Sequence, residues 1–544
     1  MYRSILILAL AGLLQVAPSL GQSAEYTRAD TLRGSDGPGR AWWDVTFYDL
    51  SVAVSPGDSS IAGSNVITYR VVAPGKELQL DLQPPMQLAR VSRDGEDLPF
   101  RRDGNAWFVT LPNADPVGSL QTLSAEFHGR PRVAVRPPWD GGFQWETSSD
   151  GTPWVATSNQ GLGASIWWPN KDYQGDEPDS QRVAIRVPDP LIAVSNGRLN
   201  YRESHPDGTT TYHWSVRNPI NNYSISANVG AYAHWNELYP GEGGALTMDF
   251  WPLAENLSDA RRQWKQARST MACFEHWFGP YPFYEDGYKL IEVPYLGMEH
   301  QSGVTYGNGY ANGYRGTDLS GTGLGLEWDF IVVHETAHEW WGNNITARDI
   351  ADNWIHESFA NYSESLYTEC LTGSADAAEE YVIGTRTRIT NQDPIIAPHG
   401  VQATPPGDMY YKGGNMLHTL RRLVDDDAKW REILRGLNHE FRHQLVSSAE
   451  IEAFLERESG LVLGPFFDQY LRDTRVPTLE WALSDGLLSF RWANVIDSFE
   501  MPVRVGVGPG RFQWIHPTAH WKFEEADLVE GSRLELDPGF YVKS

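Results

Sequence analysis

The 544-residue chain is poor in cysteine, in positive charge and in long apolar runs, and each shortage removes a class of protein. Two cysteines, Cys273 and Cys370, do not make a disulfide scaffold, so the fold has to rest on hydrophobic cores. A single bridge between them and a pair of buried thiols both satisfy the sequence. Lys and Arg number 44 against 70 Asp and Glu, a net charge of −26, which argues against nucleic acid or an anionic membrane as partner. The run Ile5 to Leu14 is too short to cross a bilayer as a helix, and no comparable run follows. Preceded by Arg3 and followed by the small residues Ser19 and Gly21, it reads as a secretory signal over residues 1–21, so a secreted or periplasmic location is expected with no membrane span. The glycine-rich stretch GNGYANGYRGTDLSGTGLGLE has no GK[ST] and opens no βαβ unit, so it is no phosphate loop. It reads instead as a flexible rim of a site.

What remains is an ordinary globular composition, 41% hydrophobic and 21% charged, in a chain too long for one core. From about Arg40 to Gly230 short alternating runs such as AWWDVTFYDLSVAV and SNVITYRVV are separated by Gly, Pro, Asp and Asn turns, which predicts an antiparallel sandwich or saddle. In the first run the alternation slips by one residue between Phe47 and Leu50, the mark of a bulge. Helices follow Trp235. SDARRQWKQARSTMACFEHWFGPYP predicts one helix with Ser258 as N-cap, a stripe of Ala260, Trp264, Ala267, Met271 and Phe274, and a stop at Gly279–Pro280. Beyond Val476 alternation returns in a final small β-sandwich. The expected domains are therefore 22–231, 232–475 and 476–544.

The chemistry concentrates between Ile331 and Glu364. His334, Glu335, Thr336, Ala337 and His338 form HExxH, which on a helix sends both imidazoles from one face. Eighteen residues intervene before Glu357, which lies in a second candidate helix. His334, His338 and Glu357 thus offer three ligands and leave a fourth position open, the pattern of a catalytic zinc site holding one Zn2+ per chain. Ile331, Val332, Val333, Ala337, Trp340 and Trp341 make the first helix an interior one, where two histidines and a glutamate are costly without a metal. Glu335 is placed to act as general base. Glu364, seven residues after Glu357 on the same helical face, is a candidate partner for a ligand histidine, and a solvated glutamate on that face satisfies the pattern equally.

HExxH, the spacing to Glu357 and WIHESFANY around it resemble the aminopeptidase N family of gluzincin zinc metallopeptidases. LGMEH resembles that family's GxMEN motif, Tyr410-Tyr411-Lys412-Gly413 resembles YxKG, and TSNQGLGASIWWPNKD resembles the segment that helps to bind a substrate's amine. The resemblance implies a multidomain α+β fold: the N-terminal β-sandwich or saddle, an α-rich thermolysin-like catalytic domain, and the small C-terminal β-sandwich. It implies zinc-dependent release of N-terminal residues from peptides with a free amine. Tyr410 would then stabilise the transition state, and Glu299, Gln160, Gly297 and Met298 would bind substrate. Leu296 and His300 depart from GxMEN, and His356 replaces the asparagine usual beside the third ligand. The chain also ends where many relatives carry a large helical domain, so a more open site is expected. A thermolysin-type endopeptidase and a noncatalytic peptide-binding relative share parts of this pattern. Glu299 with Gln160 separates the first from an aminopeptidase, and an intact ligand set with Glu335 and Tyr410 weighs against the second.

Overall fold

Strand Trp43–Ser55 is the spine of the first half of the molecule. Its buried residues are Trp43 and Val45, then Tyr48, Leu50, Val52 and Val54, because a bulge shifts the register between Val45 and Phe47. The slip expected after Phe47 therefore lies one step earlier, at Thr46, and leaves Phe47 half-buried. This strand pairs antiparallel with Ser60–Val71 and parallel with Ser180–Pro188, in the middle of an eight-stranded sheet. A three-stranded and a four-stranded sheet supply Leu78, Leu80, Val109, Val155, Ala193 and Val229 to the same core. The computed structural model describes residues 26–484, 486–506, 512–525 and 534–544. The expected signal segment lies outside the described residues.

Ahead of this sheet stands a short helix, α1 (Arg28–Gly34), none of whose residues is buried. After it the chain turns mixed. A five-stranded sheet runs Trp235–Gly241, Gly244–Trp251, Tyr288–Glu292, Val304–Tyr306 and Gly297–Met298 in spatial order, so Gly297–Met298 is an edge. The helix expected from Ser258 is two: α2 (Leu257–Gln263) and α3 (Gln266–Phe278), broken at Trp264–Lys265. Asn256, not Ser258, precedes the first. The apolar stripe nevertheless stays buried across the break, since Trp264 and Ala267 pack into one cluster with Met271 and Phe274. Gly279, at φ 93°, ends α3 where expected.

Three further helices carry the chemistry or hold it. They are α4 (Phe330–Ala337), α5 (Trp354–Thr372) and, after α6 (Ala375–Gly384), α7 (Asp408–Val424). Cys273 on α3 and Cys370 on α5 are bonded, with Cα atoms 6.0 Å apart, so the bridge closes the open question in favour of a disulfide. Among its described residues the last stretch forms two three-stranded sheets. Its Leu479, Phe490, Trp492 and Val503 belong to the same hydrophobic cluster as Phe466 and Tyr470 of the preceding helix. No helix among the described residues is long and apolar enough to cross a membrane.

Candidate metal centre

Helix α4 starts where it does because Asp329 caps it. The Asp329 carboxylate accepts from the Ile331 and Val332 N–H groups at 3.1 and 3.4 Å, and from the Tyr306 hydroxyl at 2.7 Å. Every residue of α4 is buried, as the apolar pattern requires, but the helix is short. It ends at Ala337, so His338 is its C-cap, and Trp340 and Trp341 lie in the turn beyond rather than on the helix as expected. His338 keeps helical dihedrals (φ −61°, ψ −19°), so both imidazoles still leave one side.

Glu357 enters from the first turn of α5, where the positive end of the helix favours a carboxylate. Its Oε2 lies 3.4 Å from His338 Nε2 and 3.7 Å from His334 Nε2, and all three side chains are buried. The other ring nitrogens are committed. His338 Nδ1 lies 2.9 Å from the Trp341 carbonyl, and His334 Nδ1 lies 2.9 Å from Glu364 Oε1. A carbonyl can only accept, so Nδ1 of His338 carries the proton, and a neutral His338 turns a lone pair toward Glu357. Lone pairs facing a buried carboxylate oxygen that has no hydrogen-bond partner call for a cation between them. Without one, protons supply the charge. Burial opposes it, yet Glu357 lifts His338 to about 9 and, with Glu364, holds His334 well above its ordinary value, while the imidazoles hold Glu357 below the carboxylate range. Two nitrogens and one oxygen in a closed triangle suit zinc.

Glu364, fully buried, also accepts from the Tyr381 hydroxyl at 2.7 Å and from Asn361 Nδ2 at 3.1 Å. The alternative of a solvated Glu364 is thereby removed. Glu335 is not among the three, and its carboxylate shares a second cluster with Glu299 and His338. Burial first, then the charges of Glu299 and Glu357, raise Glu335 to about 7.

A cleft of ≈300 Å³ opens over these residues. Gln160, from the β half, reaches across it: its Nε2 donates to Glu299 Oε1 at 2.7 Å and to Glu357 Oε1 at 3.3 Å. Asn343 Nδ2 holds the Glu299 carbonyl at 2.9 Å. Gly297 and Met298 line the cleft from the sheet edge. Tyr410 stands on the first turn of α7, its ring 6.2 Å from that of His334. Burial, then Glu357 and Glu299, push its ionisation far up, so the phenol keeps its proton as a donor. What sets Tyr410 is the packing of α7 on α5. A Cβ on Gly413 would sit 1.9 Å from Ser358 Oγ, and Ser358 Oγ donates to the Met409 carbonyl at 2.7 Å.

The three departures from the family motifs are all buried. Leu296 lines the cleft. His300 is fully buried with neither ring nitrogen bonded, and burial lowers it to about 3. His356, likewise lowered to about 3 by burial first, accepts from the Ala347 N–H at 2.8 Å. The glycine-rich stretch does reach the rim, through Tyr314 and Leu319, but it is tied down: Asp318 accepts from the Ser320 and Gly323 N–H groups and Asn308 donates to Asp329.

Three participants have no sequence signal. Tyr381 belongs to a different helix from Glu364. Trp139, 58% exposed, brings a large ring to the cleft mouth from a β-half loop. Tyr223 is buried with its hydroxyl unbonded, and Glu299 and Glu357 are the charges that act on it most.

Residues 265–470 match the peptidase family M1 domain. Human aminopeptidase B is 22% identical over 475 residues, covering 79% of this chain and 68% of that protein. Leucyl aminopeptidase of Saccharolobus solfataricus is 20% identical over 316 residues, 56% of this chain, and the chain spans only 39% of that relative. Among solved structures, an M1 zinc metallopeptidase from Deinococcus radiodurans with a bound Tyr-Ser-Ala substrate superposes with a TM-score of 0.65 at 20% identity, over 78% of this chain and 93% of the other. Another structure of an M1 zinc metallopeptidase from D. radiodurans gives 0.64 at 22% identity, over 80% and 94%. Fold, domain match and the His–His–Glu triangle agree: residues 265–470 match the peptidase family M1 domain, and the chain around them has the fold of M1 zinc metallopeptidases.

Proposed function

We propose that this chain is a secreted or periplasmic zinc aminopeptidase that releases residues one at a time from peptides with a free N-terminus. The observation that carries the reading is the meeting of Gln160 and Glu299, 2.7 Å apart, at one end of the cleft beside the ligand triangle. A zinc peptidase restricted to the first bond has to recognise the terminus, and the α-ammonium is the terminal group all such peptides share. A buried carboxylate with an acceptor beside it matches that cation. The Gln160 amide nitrogen is occupied by two carboxylates, so its oxygen is the end that accepts from the ammonium.

His334, His338 and Glu357 would hold the ion. Bound there, zinc supplies Lewis acidity that makes water nucleophilic near neutral pH. Glu335 takes the proton from water as it attacks the scissile carbonyl and later gives it to the leaving amine. Tyr410 donates its O–H to the oxyanion that develops. Glu364 and the Trp341 carbonyl fix the tautomers of His334 and His338, keeping Nε2 free to ligate. The edge strand Gly297–Met298 offers backbone groups along which an extended peptide can lie.

Location rests on the apolar run at residues 5–14 and is supported by the Cys273–Cys370 bridge, since structural disulfides persist in oxidising compartments. A thermolysin-type endopeptidase needs the same triangle but has no use for an ammonium site. The test is mass spectrometry of a decapeptide digested with and without N-terminal acetylation. Stepwise shortening of the free peptide with the acetylated one intact is expected; internal cleavage of either overturns the reading.

A further inference from the structure

The loop that presents Gln160 is a tight turn, closed by the Gly163 N–H on the Asn159 carbonyl at 2.6 Å and by the Leu162 N–H on the Gln160 carbonyl at 2.9 Å. It runs from Asn159 to Gly163, with glycines at φ 76° (Gly161) and 82° (Gly163) after the side chain that matters. Behind it lies a small cavity of ≈50 Å³ lined by Arg33, Gln160, Tyr223 and His356, among others, so the amide has room to swing away from the cleft. Gln83 Nε2 holds the Leu162 carbonyl at 2.7 Å, and two side chains from distant parts of the chain meet on the carbonyl next to Gln160. The Gly161 carbonyl accepts from Gln402 Nε2 at 2.6 Å and from Arg33 Nη2 at 3.2 Å. A Cβ on Gly163 would lie 2.4 Å from Arg33 Nη2 and 2.3 Å from Asp172 Oδ2, so the loop rests directly on the Arg33–Asp172 pair, which is 3.7 Å apart.

Arg33 belongs to α1, and α1 buries no residue of its own, so it adds little to a core. It is instead tied down by polar contacts. Thr27 and Asp30 form a capping box, Arg28 pairs with Asp103 at 2.9 Å, Gln79 Nε2 donates to the Leu32 carbonyl at 3.0 Å, and Arg40 Nη1 donates to the Arg33 carbonyl at 2.8 Å. The Gln402 N–H donates to the Asp30 carbonyl at 3.0 Å, so α1 and the segment leading into α7 are joined to each other as well as to the loop. A helix with no core face, many anchors and one guanidinium on the carbonyl next to Gln160 is built to hold that carbonyl.

We infer that α1 is a strap, and that Arg33 and Gln402 are positioning residues which set Gln160 for the substrate's ammonium without touching the substrate. The inference rests on Gln160 being part of the amine site. A released loop has to be ordered again each time substrate binds, which weakens binding, while the groups at the scissile bond are untouched.

A double-mutant cycle on the zinc-loaded, full-length enzyme tests this, read as KM and kcat on a free-amine aminoacyl amide. Arg33→Ala and Gln402→Ala are each expected to raise KM about tenfold, the equivalent of ~1.4 kcal/mol, with kcat nearly unchanged. In a Gln160→Ala background, Arg33→Ala is expected to add nothing, since its target is gone. Arg33→Lys, which retains a donor, should recover part of the loss. Full additivity of Arg33→Ala on Gln160→Ala overturns the strap, because a general structural defect does not depend on Gln160. So does an unchanged KM in both Arg33→Ala and Gln402→Ala while Gln160→Ala raises it. If Gln160→Ala itself leaves KM unchanged, the amine-site reading fails first, and the two failures are told apart by that single variant. Should Arg33→Ala not fold, Gln402→Ala carries the same cycle.

Discussion

Single side chains divide the proposed chemistry into parts that can be removed one at a time. Glu335 is buried beside the triangle but contributes no ligand to it. Glu335→Gln should therefore keep zinc at full stoichiometry while kcat falls at least ~10²-fold, the usual contribution of a general base. Glu357→Gln should instead lose metal, which equilibrium dialysis separates from a catalytic defect. Near-normal turnover in Glu335→Gln would remove it from the mechanism. Tyr410→Phe deletes one O–H. If that group meets the oxyanion, kcat drops roughly 10²–10³-fold, about 2.7–4 kcal/mol, with KM little changed. A rise in KM at constant kcat would make Tyr410 a binding residue.

At the level of elements, the position of Tyr410 depends on how closely α7 approaches α5. Gly413 faces Ser358 at a distance that leaves no room for a methyl group, since the hypothetical Cβ comes within 2.6 Å of Ser358 Cβ as well as 1.9 Å of its Oγ. Gly413→Ala should then force the helices apart at a cost of about 1–3 kcal/mol, the range for overpacked interiors. It should lower kcat together with the melting temperature, although Gly413 touches no substrate. Gly413→Ala paired with Ser358→Ala should recover part of both, because the second change removes the obstructing oxygen. A Gly413→Ala enzyme with wild-type kcat would show that Tyr410 is set by something other than this contact.

For the molecule as a whole, charge is the dominant global property. The chain carries −26, and among the described residues the cleft is lined by Glu299, Glu335, Glu357 and Glu364 and by no lysine or arginine. Under the proposed function, this field should draw in free-amine substrates and repel acidic first residues. Aspartyl and glutamyl amides should be the poorest in an aminoacyl panel. The kcat/KM for neutral residues should fall several-fold between about 0.01 M and about 1 M salt, as screening shortens from ~30 Å to ~3 Å. Salt-independent kinetics, or a preference for acidic residues, would show that this field does not govern access.

The ligand triangle and the alternation of the β half were legible in the sequence because both are local periodicities. HExxH is a statement about one helical turn, and Trp43, Val45, Leu50 and Val52 about one strand. The Glu357 spacing carries no period of its own, since a strand (Ile345–Ala347) and a short helix intervene; it was legible as a third ligand type and through the resemblance to a known family. Other features had to wait for the tertiary structure. Ser258 reads as a good cap, yet α2 starts at Leu257 and the helix breaks at Trp264–Lys265, while Trp264 and Ala267 still pack into one cluster. The end of α4 at Ala337, the pairing of Cys273 with Cys370, and the partner of Glu364 in Tyr381 are all decided across space, by groups whose separation along the chain carries no period. The same is true of Arg33 and Gln402. They lie 369 positions apart and meet on the Gly161 carbonyl only because the β half and the helical half close on each other there. Local pattern determined which residues can do chemistry; the packing of one half against the other decided which of them face the same cleft.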